Sequence, residues 1–554
     1  MIFGRIIGQG RKLLKKKELA GSKGKSGPKQ PISTSLKKNL DVIRQEMDSA
    51  PDVVIRPFIA GGREMAIVFI DGMINDAIIN RDLLPVLMTF LPPDQGRAIE
   101  PTFIREKILS IDEVDITSDL MEMLSTILDG KVGLLAEGWS RGLTISAQGF
   151  EKRAIAEPQT EAVVRGPREG FTENLLTNTT LIRRKIRSTK LRVKSRRLGR
   201  LTNTMVSVIY LEGIAPQQVL DELKRRLDRI DIDGVLESGY IQELTEDAPF
   251  SPFPQHMITE RPDVAARKIL EGYVAILTDG TPFALIVPGN FPCFIHSPED
   301  YYERWGVSLG IRTFRLMGLL ISLLLPSLYV ALTTFHQEML PTPLAVSLAA
   351  QRARVPYPAF IEALFMQIVF EILVEAGLRL PRPMGQAIGI VGALVIGEAA
   401  VRAGLISASM VIVIALTAIS SFVVPTFSFS IAIRMLRLPM IFLAAALGIF
   451  GIFTGFLMIL IHLVTLRSFG LPYLSPITPF IWPDHKDVLV RSHWWALVTR
   501  PVLPGFRNWW RAKPGINSPF TQYKRRTSGE LEQVLGNGRP PSPPKKGGGS
   551  RKLK

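Results

Sequence analysis

Apolar positions are concentrated in one part of the 554-residue chain, residues 316–466. Within this part, the stretches 316–335, 403–433 and 438–466 contain no Lys, Arg, Asp or Glu. A helix needs about 20 apolar residues to cross the hydrocarbon core of a bilayer. We therefore predict an all-α polytopic membrane domain over residues 306–466. Its predicted spans are residues 315–335, 384–402, 404–424 and 440–466.

Residues 360–381 have strong helical periodicity, but polar side chains interrupt the apolar pattern. Four of these side chains recur every four residues and therefore follow one side of the helix. They are Gln367, Glu371, Glu375 and Arg379. Such a face is too costly for contact with lipid, so it meets protein, the interface or water. We predict that this helix is embedded in the membrane or re-enters it without crossing.

The acidic face of this helix is a candidate for a pore lining or a gate. Rings of carboxylates attract cations and exclude anions, and a closed oligomer turns one Glu into such a ring. The candidate residues are Gln367, Glu371, Glu375 and Glu362. A structural role is the alternative, in which Glu375 and Arg379 pair along the helix and Glu371 pairs with another helix.

A second acid interrupts the span 384–402, where Glu398 lies among small and apolar residues. Arg402 follows four residues later, so an ion pair along the helix can satisfy both groups. Gly397 and its small neighbours permit close helix packing. We interpret Glu398, Arg402 and Gly397 as a packing and ion-pair site, and conduction is the weaker alternative.

Residues 37–300 have the pattern of a mixed α/β soluble region, and they contain an internal repeat. MAIVFIDGMIN (65–75) matches VSVIYLEGIAP (206–216), and DGKVGLLAEG (129–138) matches EGYVAILTDG (271–280) at nearly the same offset. Self-similarity at one spacing argues for two copies of one small fold. We predict two similar α/β subdomains, over residues 37–155 and 201–305.

Basic residues dominate the segments outside these units, and the net charge is +17. We predict a basic disordered tail over 1–36, a basic linker over 156–200, and a basic cytoplasmic segment with a disordered end over 467–554. We interpret RRKIRSTKLRVKSRRLGR (183–200) as a solvated helix between the subdomains. Contact with anionic lipid is the alternative. Nucleic acid is disfavoured because no aromatic residue is interleaved to stack on bases.

The placement of Lys and Arg favours a cytoplasmic location for both ends of the membrane domain, because basic segments flank it on both sides. Both ends on one side require an even number of crossings. Four spans meet this requirement if the helix 360–381 does not cross.

Signatures of catalysis and of metal binding are lacking. One cysteine, Cys293, excludes an internal disulfide framework and a multi-cysteine metal site. The six His residues are scattered, and no Walker loop, HExxH or G-x-S-x-G motif is present. We predict a protein that is not an enzyme and holds no cofactor.

Six stretches of the sequence resemble the A subunit of bacterial spore germinant receptors, the GerA family. They are RGPREGFTENLLTNTTLIRRKI (165–186), LESGYIQELTEDAPFSPFPQ (236–255), EGYVAILTDGTPFALIVPG (271–289), SPEDYYERW (297–305), VIGEAAVRAGLISASMVIVIALTAISSF (395–422) and LRSFGLPYLSPITPF (466–480). The resemblance covers nearly everything from about residue 50 to 500. The long termini favour a receptor subunit over the shorter stage V sporulation AF-like proteins.

The resemblance implies a subunit of a complex in the spore inner membrane. The implied partners are further copies of this chain, a transporter-like B subunit that receives the germinant, and a lipoprotein C subunit on the outer side. It also implies a membrane channel that opens on germinant binding, releases monovalent cations and triggers germination. The alternative is a non-conducting scaffold that couples the B and C subunits to a separate channel.

Overall fold

The computed structural model describes residues 30–90, 100–109, 113–149, 157–158, 160–379, 395–488, 491–501 and 511. An α/β region comes first in the chain, and a helical region with long apolar helices follows it. The predicted fold class, an α/β region of two similar subdomains before an all-α domain, is confirmed.

The first subdomain folds around a five-stranded antiparallel sheet with the strand order β1-β2-β4-β5-β3. Its elements are α1 (Leu36–Glu46), β1 (Val53–Ala60), β2 (Arg63–Ile70), α2 (Leu84–Phe90) after a π-helical turn (Ile78–Leu83), α3 (Pro101–Lys107), β3 (Val114–Thr117), α4 (Leu120–Leu128), β4 (Lys131–Ala136) and β5 (Gly142–Ser146). The Asp119 side chain caps α4 by accepting a hydrogen bond from the Met121 amide at 3.0 Å.

The second subdomain repeats this architecture, because its sheet has the equivalent order β6-β7-β9-β10-β8. Its elements are α5 (Leu175–Lys185), β6 (Leu191–Leu198), β7 (Thr204–Leu211), α6 (Gln217–Asp228), α7 (Ser238–Thr245), β8 (Met257–Thr259), α8 (Pro262–Leu270), β9 (Val274–Thr278) and β10 (Ala284–Val287). The two matched sequence pairs fall on β2 and β7 and on β4 and β9, which occupy equivalent positions in the two sheets.

The interpretation of residues 183–200 as a solvated helix is wrong. Residues 183–185 end α5, and β6 is an edge strand of the second sheet that pairs with β7 along its whole length. Leu191 and Val193 of this strand are buried, whereas its Arg and Lys side chains are partly or largely exposed. We therefore propose that the second subdomain begins before residue 201.

The helical region begins after two short elements, α9 (Phe291–Ile295) and a 3₁₀ turn (Pro298–Tyr301). Its helices are α10 (Trp305–Thr334), α11 (Thr342–Arg352), α12 (Ala359–Arg379), α13 (Ala400–Arg402), α14 (Ala408–Phe422) and α15 (Phe427–Thr465). A π-helical turn (Val395–Ala399) runs into α13, and a two-stranded ribbon, β11 (Arg467–Ser468) and β12 (Leu471–Pro472), follows α15. Among the described residues, α10 and α15 are long and apolar enough to cross a membrane, and α14 is a shorter apolar helix.

The 39 residues of α15 form a hairpin of two helical arms, 427–447 and 449–465. Gly448 has φ 62° and ψ −138°, outside the helical range, and φ of that sign is readily adopted only by glycine. Gly451 packs so closely against the first arm that an added Cβ would lie 2.0 Å from the Leu443 carbonyl oxygen. In a straight helix these residues would be about 12 Å apart. The prediction of one helix over 440–466 is therefore wrong.

The helices run alternately away from the second subdomain and back to it. We call the end of the helical region beside that subdomain the proximal end and the opposite end the distal end. The Tyr329 hydroxyl near the distal end of α10 lies 2.8 Å from Ser409 Oγ near the start of α14. Thr426, which follows α14, donates to the Phe294 carbonyl at the proximal end. Thus α10 runs distally, α14 returns, and the hairpin α15 leaves and comes back. The predicted span 384–402 lies mostly outside the described residues.

Candidate functional site

The predicted polar stripe of α12 divides into a buried part and an exposed part. A spacing of four residues advances about 40° around a helix with 3.6 residues per turn, so three steps rotate the stripe by about 120°. Gln367 is consequently buried, whereas the Glu375 side chain is 58% exposed. The stripe therefore joins two environments and does not form one continuous lining within a single chain.

The buried part of the stripe is held by two arginines of the first arm of α15. Arg437 donates to Gln367 Oε1 at 3.0 Å and to the Ser322 carbonyl of α10 at 2.8 Å. Gln367 donates to Glu371 Oε1 at 2.8 Å, and Arg434 Nε donates to Glu371 Oε2 at 3.0 Å. Arg437 is fully buried. This network ties α10, α12 and α15 together and neutralises the Glu371 carboxylate.

Glu362 lies at the distal end of α12, and it is only 2% exposed. Its Oε1 oxygen accepts hydrogen bonds from the amide and the hydroxyl of Ser407, the residue that caps α14. Its Oε2 oxygen is buried and has no hydrogen-bond partner among the described residues. The carboxylate at the start of α14 therefore connects α12 to α14.

The exposed part of the stripe consists of Glu375 and Arg379, whose side chains form an ion pair of 2.7 Å along the helix. This pair continues an exposed apolar face of α12 that includes Phe365, Ile368 and Ile372. The face thus ends in a charged pair towards the proximal end, and no described part of the same chain covers it.

Glu398 and Arg402 also form an ion pair along their helix, and their side chains are 52% and 78% exposed. An added Cβ at Gly397 would have no atom within 4 Å, which means that nothing in the described chain packs closely on this glycine. The close helix packing predicted around Gly397 has no partner among the described residues, and it stays a prediction.

A buried ionic network lies at the junction of the second subdomain with α10, and sequence reasoning did not identify it. Asp300 accepts hydrogen bonds from Arg312 Nε at 3.0 Å and from Arg315 Nη1 at 2.9 Å. Arg312 also donates to Asp487 Oδ1 at 3.2 Å. Asp300 is 2% exposed. We call these four residues the joint network, since they fix the first long helix to the turn that follows the second subdomain and to the segment after α15.

The Tyr301 ring lies within the same junction, with the guanidinium carbon of Arg267 4.2 Å from its centroid. Burial raises the pKa of the Tyr301 phenol, so its hydroxyl stays protonated and donates to Asp487 Oδ2 at 3.0 Å. Burial also acts on Glu271, but Lys268 and Arg267 outweigh it and lower the pKa of that carboxyl to about 2. Each of the two carboxylates, Asp487 and Glu271, therefore has a hydrogen-bond donor or a cation beside it in this junction.

Aromatic side chains connect the second subdomain to the α15 hairpin. The Phe253 ring stacks on His462 of the second α15 arm, with centroids 6.0 Å apart, and contacts Phe429 of the first arm. His462 Nε2 lies 2.8 Å from Ser251 Oγ. His462 therefore fits a hydrogen-bonded packing residue, the role that we favour for it over proton relay.

No group of three or more His, Cys, Asp or Glu side chains in the described ranges could hold a metal ion. The geometry of these ranges offers ion pairs and helix contacts.

Comparison with known proteins gives consistent matches over most of the chain. A family model described as "Bacillus/Clostridium GerA spore germination protein" matches residues 41–503. Spore germination protein KA of Bacillus subtilis (strain 168) is 46% identical, and the alignment covers 85% of this chain and 87% of that protein. Spore germination protein B1 of the same organism is 38% identical, with 85% and 97% covered. The crystal structure of the N-terminal domain of the A subunit of the Bacillus megaterium spore germinant receptor GerK3 is 34% identical, covers 48% of this chain and 98% of its own, and has a TM-score of 0.39.

Proposed function

The chain belongs to the GerA family of spore germination proteins, and from this premise we propose that it is the A subunit of a germinant receptor in the spore inner membrane. Copies of the chain assemble into a nutrient-gated channel that releases monovalent cations and thereby triggers germination. Its further partners are a transporter-like B subunit, which senses the germinant, and a lipoprotein C subunit.

Six crossings fit the course of the helices better than four. The hairpin α15 supplies two crossings, since both of its ends lie at the proximal end. The helix α12 runs from Glu362 at the distal end to Glu371, which meets Arg434 on the proximal half of the first hairpin arm. Together with α10, α14 and the predicted span 384–402, this course keeps both ends of the membrane domain cytoplasmic. The basic flanking segments then obey the positive-inside rule.

The single observation that carries the channel proposal is the exposed ion pair Glu375–Arg379 at the end of an exposed membrane-helix face. Charged side chains at membrane depth are costly in lipid, so such a pair faces water or another subunit. A ring of chains around an axis provides both. The apolar residues Phe365, Ile368 and Ile372 then form a constriction that excludes water when the channel is closed.

The buried part of the stripe favours the alternative, a scaffold that does not conduct. Arg434 neutralises the Glu371 carboxylate, and Arg437 donates a hydrogen bond to the Gln367 side-chain oxygen. Neither Glu371 nor Gln367 is therefore free to coordinate a passing cation. In a scaffold the exposed face of α12 would contact a partner subunit over its whole length and remain dry.

Ion flux distinguishes the two functions. The complex is reconstituted in liposomes loaded with K⁺, germinant is added, and K⁺ release is compared for the native chain and Glu375→Gln at equal protein levels. We expect germinant-dependent release, and a weaker preference for cations over anions in the variant. Absence of flux from an intact complex would favour the scaffold.

A matched variant separates lining from stability. Glu371→Gln removes the partner of Arg434 and is expected to lower the stability of the helix packing, whereas Glu375→Gln removes an exposed charge with little effect on stability. A change of ion preference confined to Glu371→Gln would place the conducting path elsewhere than on the exposed face.

A further inference from the structure

A cavity of about 560 Å³ lies where the second subdomain meets the turn between α14 and α15. Its wall on the α/β side comes from the start of α7, from β8 and from residues 160–161, and its wall on the helical side is the turn 425–428. Binding sites for small molecules have volumes of about 300–1,000 Å³ and occur preferentially between domains. The cavity has the size and the position of such a site.

Three carboxylates line this cavity, Glu161, Glu237 and Glu260, and no lysine or arginine is among its described lining residues. Glu260 is 7% exposed; its Oε2 accepts from the Thr160 amide at 3.2 Å, and its Oε1 accepts no hydrogen bond from the described residues. In Glu161, the Oε2 oxygen accepts a hydrogen bond from the Thr259 hydroxyl at 2.6 Å. The cavity therefore combines three acidic side chains with acceptor oxygens that are still available, and this combination favours a cation, which binds with the Glu161 carboxyl ionised.

Most of the cavity surface is apolar, and part of it is aromatic. Ile258, Phe283 and Phe427 contribute side chains, and the faces of aromatic rings attract ammonium groups. A bare metal ion gains nothing from this apolar part. A ligand that matches both halves of the surface has a charged head and a hydrocarbon body.

We propose that this cavity binds a small organic cation with an ammonium head and an apolar body. Its head lies at Glu161 and Glu260, and its body lies against Phe283 and Phe427. The ammonium group belongs either to a free amine or to an aminophospholipid, because the turn 425–428 lies at the proximal end of the membrane helices. A bound molecule bridges the α/β region and the α15 hairpin. The inference depends on the fold and not on conduction, so binding and ion flux can fail independently.

The test uses the full-length chain in nanodiscs of phosphatidylglycerol and measures heat on titration with hexylammonium. The probes 1-hexanol and hexanoate match its size without its charge. We expect saturable binding of hexylammonium that is about tenfold tighter than that of either probe, since a desolvated charge-assisted contact is worth about a factor of ten. Glu260→Gln with Glu161→Gln is expected to remove the difference. Glu243→Gln, on the exposed side of α7 outside the cavity, is expected to retain it.

A second variant addresses the folding of the double mutant. Ser428→Trp places bulk in the cavity without changing its charge, and it is expected to abolish binding while the thermal unfolding temperature stays close to that of the native chain. Equal affinity for hexylammonium and 1-hexanol, or binding that survives both sets of variants, would overturn the proposal. Addition of phosphatidylethanolamine to the nanodiscs distinguishes the sources, because competition with hexylammonium supports a lipid and unchanged binding supports a free amine.

Discussion

The two α/β subdomains share one strand order but differ in what they contact. The first encloses two hydrophobic clusters of its own, which contain no residue of the helical region. The second shares a single buried cluster with α10, with Val424 in the turn after α14, and with both arms of α15. One copy of the fold therefore has a hydrophobic core of its own, and the other shares its core with the long apolar helices.

This difference indicates which copy can transmit a signal to the membrane helices. Phe253 of the second subdomain contacts the α15 hairpin, and Asp300, in the turn that follows this subdomain, binds α10, so we infer that these contacts carry such a signal. The hydrophobic clusters of the first subdomain contain no residue of the helices, so we infer that its changes reach them through the second subdomain. A buried ion pair joins Asp52 of the first subdomain to Arg183 of α5 in the second. Arg183 Nη2 donates to Asp52 Oδ1 at 2.8 Å.

The largest effect is expected from Asp300→Asn in the joint network. The substitution leaves Arg315 buried without a carboxylate and Arg312 with Asp487 alone, and removal of one partner from a buried ion pair costs about 3–5 kcal/mol. We expect a large drop in the thermal unfolding temperature of the detergent-solubilised chain. An unchanged unfolding temperature would mean that the joint network contributes little to the stability of the folded chain.

A smaller effect, confined to the contact between the two subdomains, is expected from Asp52→Asn. The matched control is Asp129→Asn, because Asp129 also pairs across the subdomains with Arg187, but both of its partners are exposed. We expect faster proteolysis between the subdomains in the first variant only, since exposed pairs contribute about 0–1 kcal/mol. Equal sensitivity of the two variants would contradict the importance of the buried pair.

The hairpin is tested by Gly451→Ala, which places a methyl group against the Leu443 carbonyl. Overpacking of this kind costs about 1–3 kcal/mol. Gly377→Ala in α12 is the control, since its added Cβ would meet no atom within 4 Å, and alanine favours a helix. The thermal unfolding temperature is expected to fall for Gly451→Ala and to stay level or rise for Gly377→Ala.

The smallest effect concerns the pH dependence of stability. Burial raises the pKa of the Glu161 carboxyl from 4.5 to about 7, against the hydrogen bonds from Thr259 and the Glu260 amide and the charge of Arg261, which lower it. The folded chain then binds this proton more tightly than the unfolded chain, so this group makes stability fall as pH rises from about 4.5 to 7. Glu161→Gln is expected to flatten that part of the pH profile. An unchanged profile would exclude the contribution of Glu161.

The repeat could be predicted because strand periodicity and turn residues are local features of sequence. Strand β6 was not predicted, because the basic residues of this segment obscure its alternating pattern. Its buried positions Leu191 and Val193 alternate with basic residues, and the net charge of the segment hides a period of two. An edge strand with one solvated face tolerates such a composition.

The hairpin and the joint network could not be predicted from local patterns. A chain reversal in an apolar segment needs no polar residue, so Gly448, Gly451 and Gly455 are its only sequence signal. The joint network pairs Arg312 with Asp487 across 175 positions, and charges give no indication of such distant partners. The stripe on α12 was identified correctly as polar, but its rotation around the helix decides which residues are buried.

The central claim, that the exposed face of α12 borders a water-filled path, is tested most directly by cysteine modification during K⁺ release. The only cysteine, Cys293, is buried, so Glu375→Cys provides one reactive thiol. Phe453→Cys, 63% exposed on the second arm of α15, is the control for a lipid-facing position. We predict that a charged thiosulfonate reagent changes germinant-dependent K⁺ release through Glu375→Cys and not through Phe453→Cys. Complete labelling of Glu375→Cys with unchanged release would contradict the claim.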